Sequence, residues 1–190
     1  GERIALLGES GAGKSTLLKV LAAMCEAEGD YTINGRPCRE YRYEDFRKQV
    51  ALLPQKTFVF SASIRDNLTM FSGAPQQDAA LAETLDSAGL SKWYAARGAN
   101  MDTMIGDGAH ALSGGEERRL DLARTLWRKG SLVMLDEPGA GLDEATRVEL
   151  EKQIAQLPCD ILIVAMHNYS PEFLDTFTRV LRIRDGEIIM

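Results

Sequence analysis

Little in this sequence invites a disulfide, a metal cluster or a membrane span. There are only three cysteines, Cys25, Cys38 and Cys159. Their number is odd, they are scattered, and no Cys-x-x-Cys pair occurs, so reduced core or surface thiols are expected. The two histidines, His110 and His167, stand in no metal-ligand spacing. No stretch approaches the roughly 18 consecutive apolar residues of a membrane helix. No leader is visible, because Gly1 runs straight into a strand-like segment. Excess positive charge is also lacking: the net charge is −6 and the pI about 5.1. A broad nucleic-acid footprint needs a basic surface, so nucleic acid is not an expected partner. A nucleotide is still allowed, since a few backbone N–H groups and one Lys suffice for it locally.

What is present is ordinary globular material. The chain has 190 residues, 45% of them apolar and 26% charged, enough for one domain with or without a subdomain. It starts and stops abruptly, which reads as a soluble piece of a longer polypeptide.

Apolar runs at 3–8, 49–55, 131–138 and 160–168 predict buried strands. Helical spacing predicts helices over 14–29, closed by Gly29, and over 143–157. Residues 62–99 read as mainly helical, broken at 72–75 and at Gly89. Asn34-Gly35 and Asp185-Gly186 each stand between short strands and predict tight turns. Short strands, apolar throughout and separated by helices, predict an α/β fold with a mainly parallel sheet covered on both faces. Ligands bind at the carboxyl ends of such strands, and there the polar residues gather: Gly8, Gln55, Asp136, Glu137 and His167.

"GESGAGKS" (8–15) fits G-x-x-x-x-G-K-[ST] between a predicted strand and a predicted helix. Its glycines let backbone N–H groups face phosphate oxygens, and the helix dipole adds partial positive charge. In this pattern Gly8, Glu9, Ser10, Gly11, Ala12, Gly13, Lys14, Ser15 and Thr16 are the ATP-binding candidates. Lys14 reaches the β/γ-phosphates and the Ser15 hydroxyl ligates Mg²⁺. "LVMLDE" (132–137) places Asp136 to hold Mg²⁺ and Glu137 to polarise an attacking water. Gln55 is a further Mg²⁺ or water ligand by its amide oxygen, or simply an exposed turn residue. His167 is a γ-phosphate donor, or simply a satisfied histidine at a strand end. A second phosphate-seeking helix start, "LSGGEERRLDLAR" (112–124), follows a hundred residues after the first.

In order, "GESGAGKST", "LLPQ", "LSGGE", "LVMLDEP", "GLD" and "AMH" resemble the Walker A loop, Q-loop, signature, Walker B strand, D-loop and H-switch of ABC ATPase nucleotide-binding domains. The resemblance spans the whole chain. It implies a P-loop fold with a helical subdomain at about 58–125 and a truncated antiparallel edge. It implies Mg-ATP hydrolysis at composite sites of a head-to-tail dimer with a second ABC domain. Ser113, Gly114, Gly115 and Glu116 would then bind γ-phosphate in trans, and Asp143 would lie at the dimer seam. Glu137, His167, Lys14 and Gln55 would be the catalytic set, and Ser15, Gln55 and Asp136 the metal ligands.

"FVFSASIRDNL" (58–68) and "IGDGAHALSGGE" (105–116) are similar to the exporter pattern, which implies a transmembrane domain as partner and a place at the cytoplasmic face of the bacterial inner membrane. Within exporters, the signature and 60–68 look most like the bacterial heterodimeric cysteine/glutathione exporters linked to cytochrome bd assembly. Four departures stand out. Glu116 replaces the usual Gln, and "PGAGLD" replaces the usual Thr-Ser-Ala-Leu-Asp ending. Asn168-Tyr169 follows His167, and the adenine-stacking aromatic expected upstream of the first strand is not in this chain, which predicts weaker ATP binding. The first two leave open a non-hydrolysing regulatory half of a heterodimer. A soluble ABC ATPase is the other alternative.

Overall fold

The computed structural model describes residues 1–73, 77–106 and 111–189. A six-stranded sheet forms the centre, in the order β10-β9-β1-β8-β7-β4. Its strands are β1 (Glu2–Leu7), β4 (Val50–Leu53), β7 (Leu132–Asp136), β8 (Ile161–Met166), β9 (Arg179–Arg184) and β10 (Glu187–Ile189). The first five pair in parallel, and β10 folds back antiparallel on β9. The α/β class and the antiparallel edge are therefore as expected.

The strands read as unbroken apolar runs because both sheet faces are covered. Leu6, Met134, Ala165 and Ile183 point to one face, where Leu18 and Ala22 pack on them. Leu18 belongs to α1 (Lys14–Leu21), and α2 (Tyr43–Gln49) covers the same face through Phe46. Ala5, Leu7, Val133, Leu135, Val164 and Met166 point to the other face. There lie α3 (Ile64–Thr69), α4 (Asp78–Ser87), α5 (Ser91–Ala96), α6 (Gly114–Trp127), α7 (Glu144–Ala155) and α8 (Pro171–Leu174). Two small antiparallel pairs and a 3₁₀ helix (Cys38–Glu40) complete the described elements; the pairs are β2 (Thr32–Ile33) with β3 (Arg36–Pro37), and β5 (Ala62–Ser63) with β6 (Met104–Ile105).

The turns fall where the dipeptides placed them. Asn34 and Gly35 both have positive φ, 50° and 77°, as do Asp185 and Gly186, at 52° and 80°. One helix is shorter than predicted. α1 stops at Leu21, and Gly29 lies well beyond it rather than capping it. After Ala22 the segment has nothing to bury: Met24 is 55% exposed and residues 25–28 are all exposed. Helix propensity without a buried face does not sustain a helix in water. The break expected at 72–75 falls partly outside the described residues, as does the stretch 107–110 that includes His110. The three cysteines are free thiols. Among the described residues no helix is long and apolar enough to cross a membrane.

Candidate functional site

Four strand ends supply the site. After β1 the loop from Gly8 to Gly13 turns into α1 at Lys14. Gly13 takes the helix N-cap position with φ 103°, a conformation that side chains other than glycine's rarely tolerate. The cap makes no side-chain hydrogen bond and the first turn carries no acid. The positive end of the helix dipole is thus met by no capping side chain and no first-turn carboxylate. Gly8 packs so closely on β9 that a Cβ would lie 2.6 Å from the Ile183 carbonyl. Glu9, Ser10, Gly11 and Thr16 are exposed, while Ala12 packs into the core beneath the loop.

Lys14 is buried and its ammonium has three acceptors: Gly8 O at 2.7 Å, Glu9 O at 2.9 Å and Glu137 Oε1 at 3.4 Å. Ser15 Oγ donates to Asp136 Oδ1 at 3.0 Å, which joins the start of α1 to the end of β7.

Glu137 is the centre of the cluster. It has φ 47°, in the left-handed region, which for such a residue costs about 1–3 kcal/mol. Its N–H donates to Ala165 O at 2.8 Å and its carbonyl accepts from Ala140 N–H at 3.0 Å. The bend turns the carboxylate toward the neighbouring strand ends. Gln55 Nε2, just past β4, donates to Oε2 at 3.1 Å, and His167 Nδ1, just past β8, meets Oε1 at 3.0 Å. Burial pushes the Glu137 carboxyl up. The His167 hydrogen bond and charge, with the Lys14 ammonium, outweigh that and hold it below the ordinary glutamate value. A carboxylate so held stays ionised and can polarise a water.

A cleft of about 1260 Å³ runs beside this cluster, lined by Gly8–Gly13, His167, Tyr169, Arg182 and Arg184. A smaller cavity of about 130 Å³ lies behind Glu137, where Gly139, Arg147, Glu151 and Phe173 meet. Arg147 pairs with buried Glu151 at 2.6 Å, and Glu151 accepts from Ser170 Oγ at 2.6 Å. This network ties α7 to the segment that follows His167.

The second helix start is built differently. Ser113 caps α6 with a complete capping box: Ser113 Oγ accepts from Glu116 N–H, and Glu116 Oε2 accepts from Ser113 N–H at 2.9 Å. Gly115 sits against Thr146 and Leu142, on the α7 side, whereas a Cβ at Gly114 would meet nothing within 4 Å. Asp143 caps α7 through Thr146, whose N–H and hydroxyl both donate to its carboxylate; these bonds hold the exposed Asp143 carboxyl below its usual range. The fold brings Lys14, Gln55 and His167, each named from the sequence, together on Glu137. Sequence reasoning missed buried Arg118 and the Arg147–Glu151–Ser170 network, because nothing in their helical patterns marks these charges as buried.

A parallel sheet with a glycine loop at the first strand end, opening a helix, and an acid pair at a nearby strand end define the P-loop nucleotide-binding class. The sequence profile of the ABC transporter family matches residues 1–140. The chain belongs to that family, as one of its ATPase domains. It is 37% identical over its whole length to the glutathione/L-cysteine transport system ATP-binding/permease protein CydC of Haemophilus influenzae, of which it covers 33%. It is 38% identical to the protein of the same name from Escherichia coli, of which it covers 32%. The chain thus spans about a third of the length of these curated relatives. Its fold matches the solved structure of a bacterial Atm1-family ABC exporter with ATP bound, with a TM-score of 0.85 at 24% identity, over all of this chain and 33% of that one.

Proposed function

We propose that the chain binds Mg-ATP along the 8–16 loop and hydrolyses it at composite sites of a head-to-tail dimer, driving export through a transmembrane domain. The observation that carries this reading is the convergence of Lys14, Gln55 and His167 on one ionised carboxylate, Glu137, from separate segments. Lys14 binds the β/γ-phosphates. Glu137 accepts the hydrogen bond of the attacking water and draws its proton. His167 and Gln55 orient that water and the γ-phosphate. The contact of both with Glu137 favours a hydrolytic site over a purely regulatory one.

The oxygen donors also suit Mg²⁺. The Ser15 hydroxyl and the Asp136 carboxylate are already 3.0 Å apart, and the Gln55 amide oxygen is the third donor. Magnesium is typically held by one or two carboxylates together with substrate phosphates, not by an all-protein cage. Among the described residues no group of three or more His, Cys, Asp and Glu side chains is placed to hold a metal ion. When bound, the ion would neutralise charge developing on the transferred phosphoryl group.

The trans role of Ser113, Gly114, Gly115 and Glu116 is supported by Gly114. Its φ is not left-handed and, among the described residues, no atom lies within 4 Å of where a Cβ would be, so the described fold does not require a glycine there. Close approach by a phosphate of a second ABC domain would. Asp143, at the adjoining helix start, lies at the same seam. The helical segment at about 58–125 would serve as the subdomain that exchanges motion with the membrane part. Likeness to proteins named glutathione/L-cysteine transport systems makes small thiols the proposed cargo, moved from the cytoplasmic face of the membrane.

The test is Mg-ATP turnover against protein concentration, for this chain and for Glu137→Gln. Turnover that rises faster than linearly, and falls by about 10²–10⁴ in the variant with ATP binding retained, is expected. Turnover strictly linear in concentration, or untouched by the substitution, would sink the reading.

A further inference from the structure

Arg118 lies in the second turn of α6 and is only 2% exposed. Its guanidinium has five N–H donors, and each has a peptide oxygen to itself or shares a nitrogen that serves two. Nε donates to Pro138 O at 2.9 Å. Nη1 donates to Pro54 O at 2.6 Å and Gln55 O at 3.2 Å. Nη2 donates to Asp136 O at 2.6 Å and Glu137 O at 2.8 Å. All five acceptors are carbonyls and none is a carboxylate. A buried cation spread over backbone alone is an expensive way to hold a fold together, and burial lowers its proton affinity.

The acceptors explain its use. They are the backbone of the two segments that carry Gln55 and Glu137, whose side chains meet at 3.1 Å. Among the hydrogen bonds on the strained Glu137 peptide groups, two come from backbone, Ala165 and Ala140, and the one from a side chain is Arg118's.

We propose that Arg118 is a positioning residue: its guanidinium clamps the Glu137 backbone in the left-handed conformation and fixes it against Gln55, so that the start of the signature helix sets where the carboxylate points. The proposal rests on the reading of Glu137 as the hydrolytic carboxylate, but its test does not depend on turnover alone. Without the clamp, the Glu137 backbone relaxes toward ordinary φ and its carboxylate leaves His167 and Lys14. Asp121, one turn further along α6, pairs with Arg124, and its charge with those of Asp136 and Glu137 favours the Arg118 cation, whose five hydrogen bonds nonetheless all go to carbonyls.

The experiment compares Arg118→Lys and Arg118→Gln with the unaltered chain, and with Leu81→Ala, a core cavity in α4 that lowers stability elsewhere. Three readouts are taken: kcat and ATP affinity, the Glu137 carboxyl titration followed by ¹³C NMR, and unfolding in the Glu137→Gly background. Expected for both Arg118 variants are a kcat lower by about tenfold to a hundredfold with ATP affinity within about twofold. The Glu137 titration moves up toward the ordinary glutamate value, although Arg118→Lys keeps the charge. Leu81→Ala lowers the melting temperature and leaves the titration in place. Because glycine adopts positive φ freely, Arg118→Lys shifts the unfolding equilibrium less in the Glu137→Gly background.

An unmoved titration, or equal destabilisation in both backgrounds, overturns the proposal. So does an Arg118→Lys chain that folds in neither background, since the service of Arg118 would then be to the whole fold. If Arg118→Lys folds only with Glu137→Gly, the clamp is supported directly. An unaltered chain that never turns over ATP counts against the hydrolytic reading, while the titration and the unfolding comparison still decide the clamp.

Discussion

Gly139 leaves its space to Arg147. A Cβ on Gly139 would lie 2.9 Å from Arg147 Cγ and 3.2 Å from Cδ, and that stem is pinned by the buried pairing of Arg147 with Glu151. The departure "PGAG" from the usual exporter residues therefore has a local cause: the buried arginine occupies the volume a side chain would fill. It need not mark a degraded site.

This makes a pairwise prediction. Gly139→Ala destabilises the chain by about 1–3 kcal/mol through overpacking. In an Arg147→Ala background the same substitution is close to neutral. Urea unfolding of the two single variants and the double variant measures the coupling. Additive effects would refute the steric account.

Glu137 predicts a pH dependence. Its folded value lies below the ordinary 4.5, because burial, which raises it, is outweighed by His167 and Lys14. A depressed carboxyl contributes stability that is present above its unfolded value and is lost as pH falls through its folded value. His167→Ala removes the foremost lowering contact, so the folded value rises toward the unfolded one and the stability that Glu137 loses on acidification becomes smaller. Carboxyl ¹³C titration and unfolding across the acid range check both statements. A Glu137 titration unchanged by His167→Ala contradicts them.

Gly114→Ala should separate stability from activity. In the first turn of α6 a Cβ meets nothing within 4 Å among the described residues, and alanine stabilises a helix by about 0.5–1 kcal/mol over glycine. The variant is expected to melt higher and turn over ATP more slowly. A variant that is both more stable and fully active would remove the trans-contact argument.

Glu116→Gln tests the charge in the signature. Gln serves the capping box as well as Glu, so melting is expected to change by less than about 0.5 kcal/mol in stability terms. Removal of a negative charge from a surface proposed to meet phosphate should lower the protein concentration at which turnover is half-maximal. Turnover curves for the two proteins decide this.

The sheet was legible in the sequence because strands buried on both faces carry unbroken apolar runs, and the two tight turns because Asn34-Gly35 and Asp185-Gly186 favour positive φ. α1 was overextended since its spacing continues past Leu21, while the surface it would bury does not. α2 escaped notice because Phe46 is its main apolar anchor, and one anchor makes no period. At the site, the loop and the acids were readable from spacing. The meeting of Glu137 with His167 depends on β7 and β8 being neighbours, which sequence alone states only by way of fold class. Arg118 was unreadable: in "GGEERRLDLAR" nothing distinguishes the arginine that turns inward from its neighbour.

The placement of β1 has a consequence for biosynthesis. Residues 2–7 leave the ribosome well before their neighbours in the sheet, residues 161–166 and 179–184. The loop that follows β1 thus has no rigid base until β8 and β9 have been made. Contacts so distant in sequence form slowly, and the waiting strand exposes its apolar faces meanwhile. A nascent chain halted before β8 would carry the 8–13 loop as sequence only: a segment made well ahead of its sheet neighbours takes its shape after them.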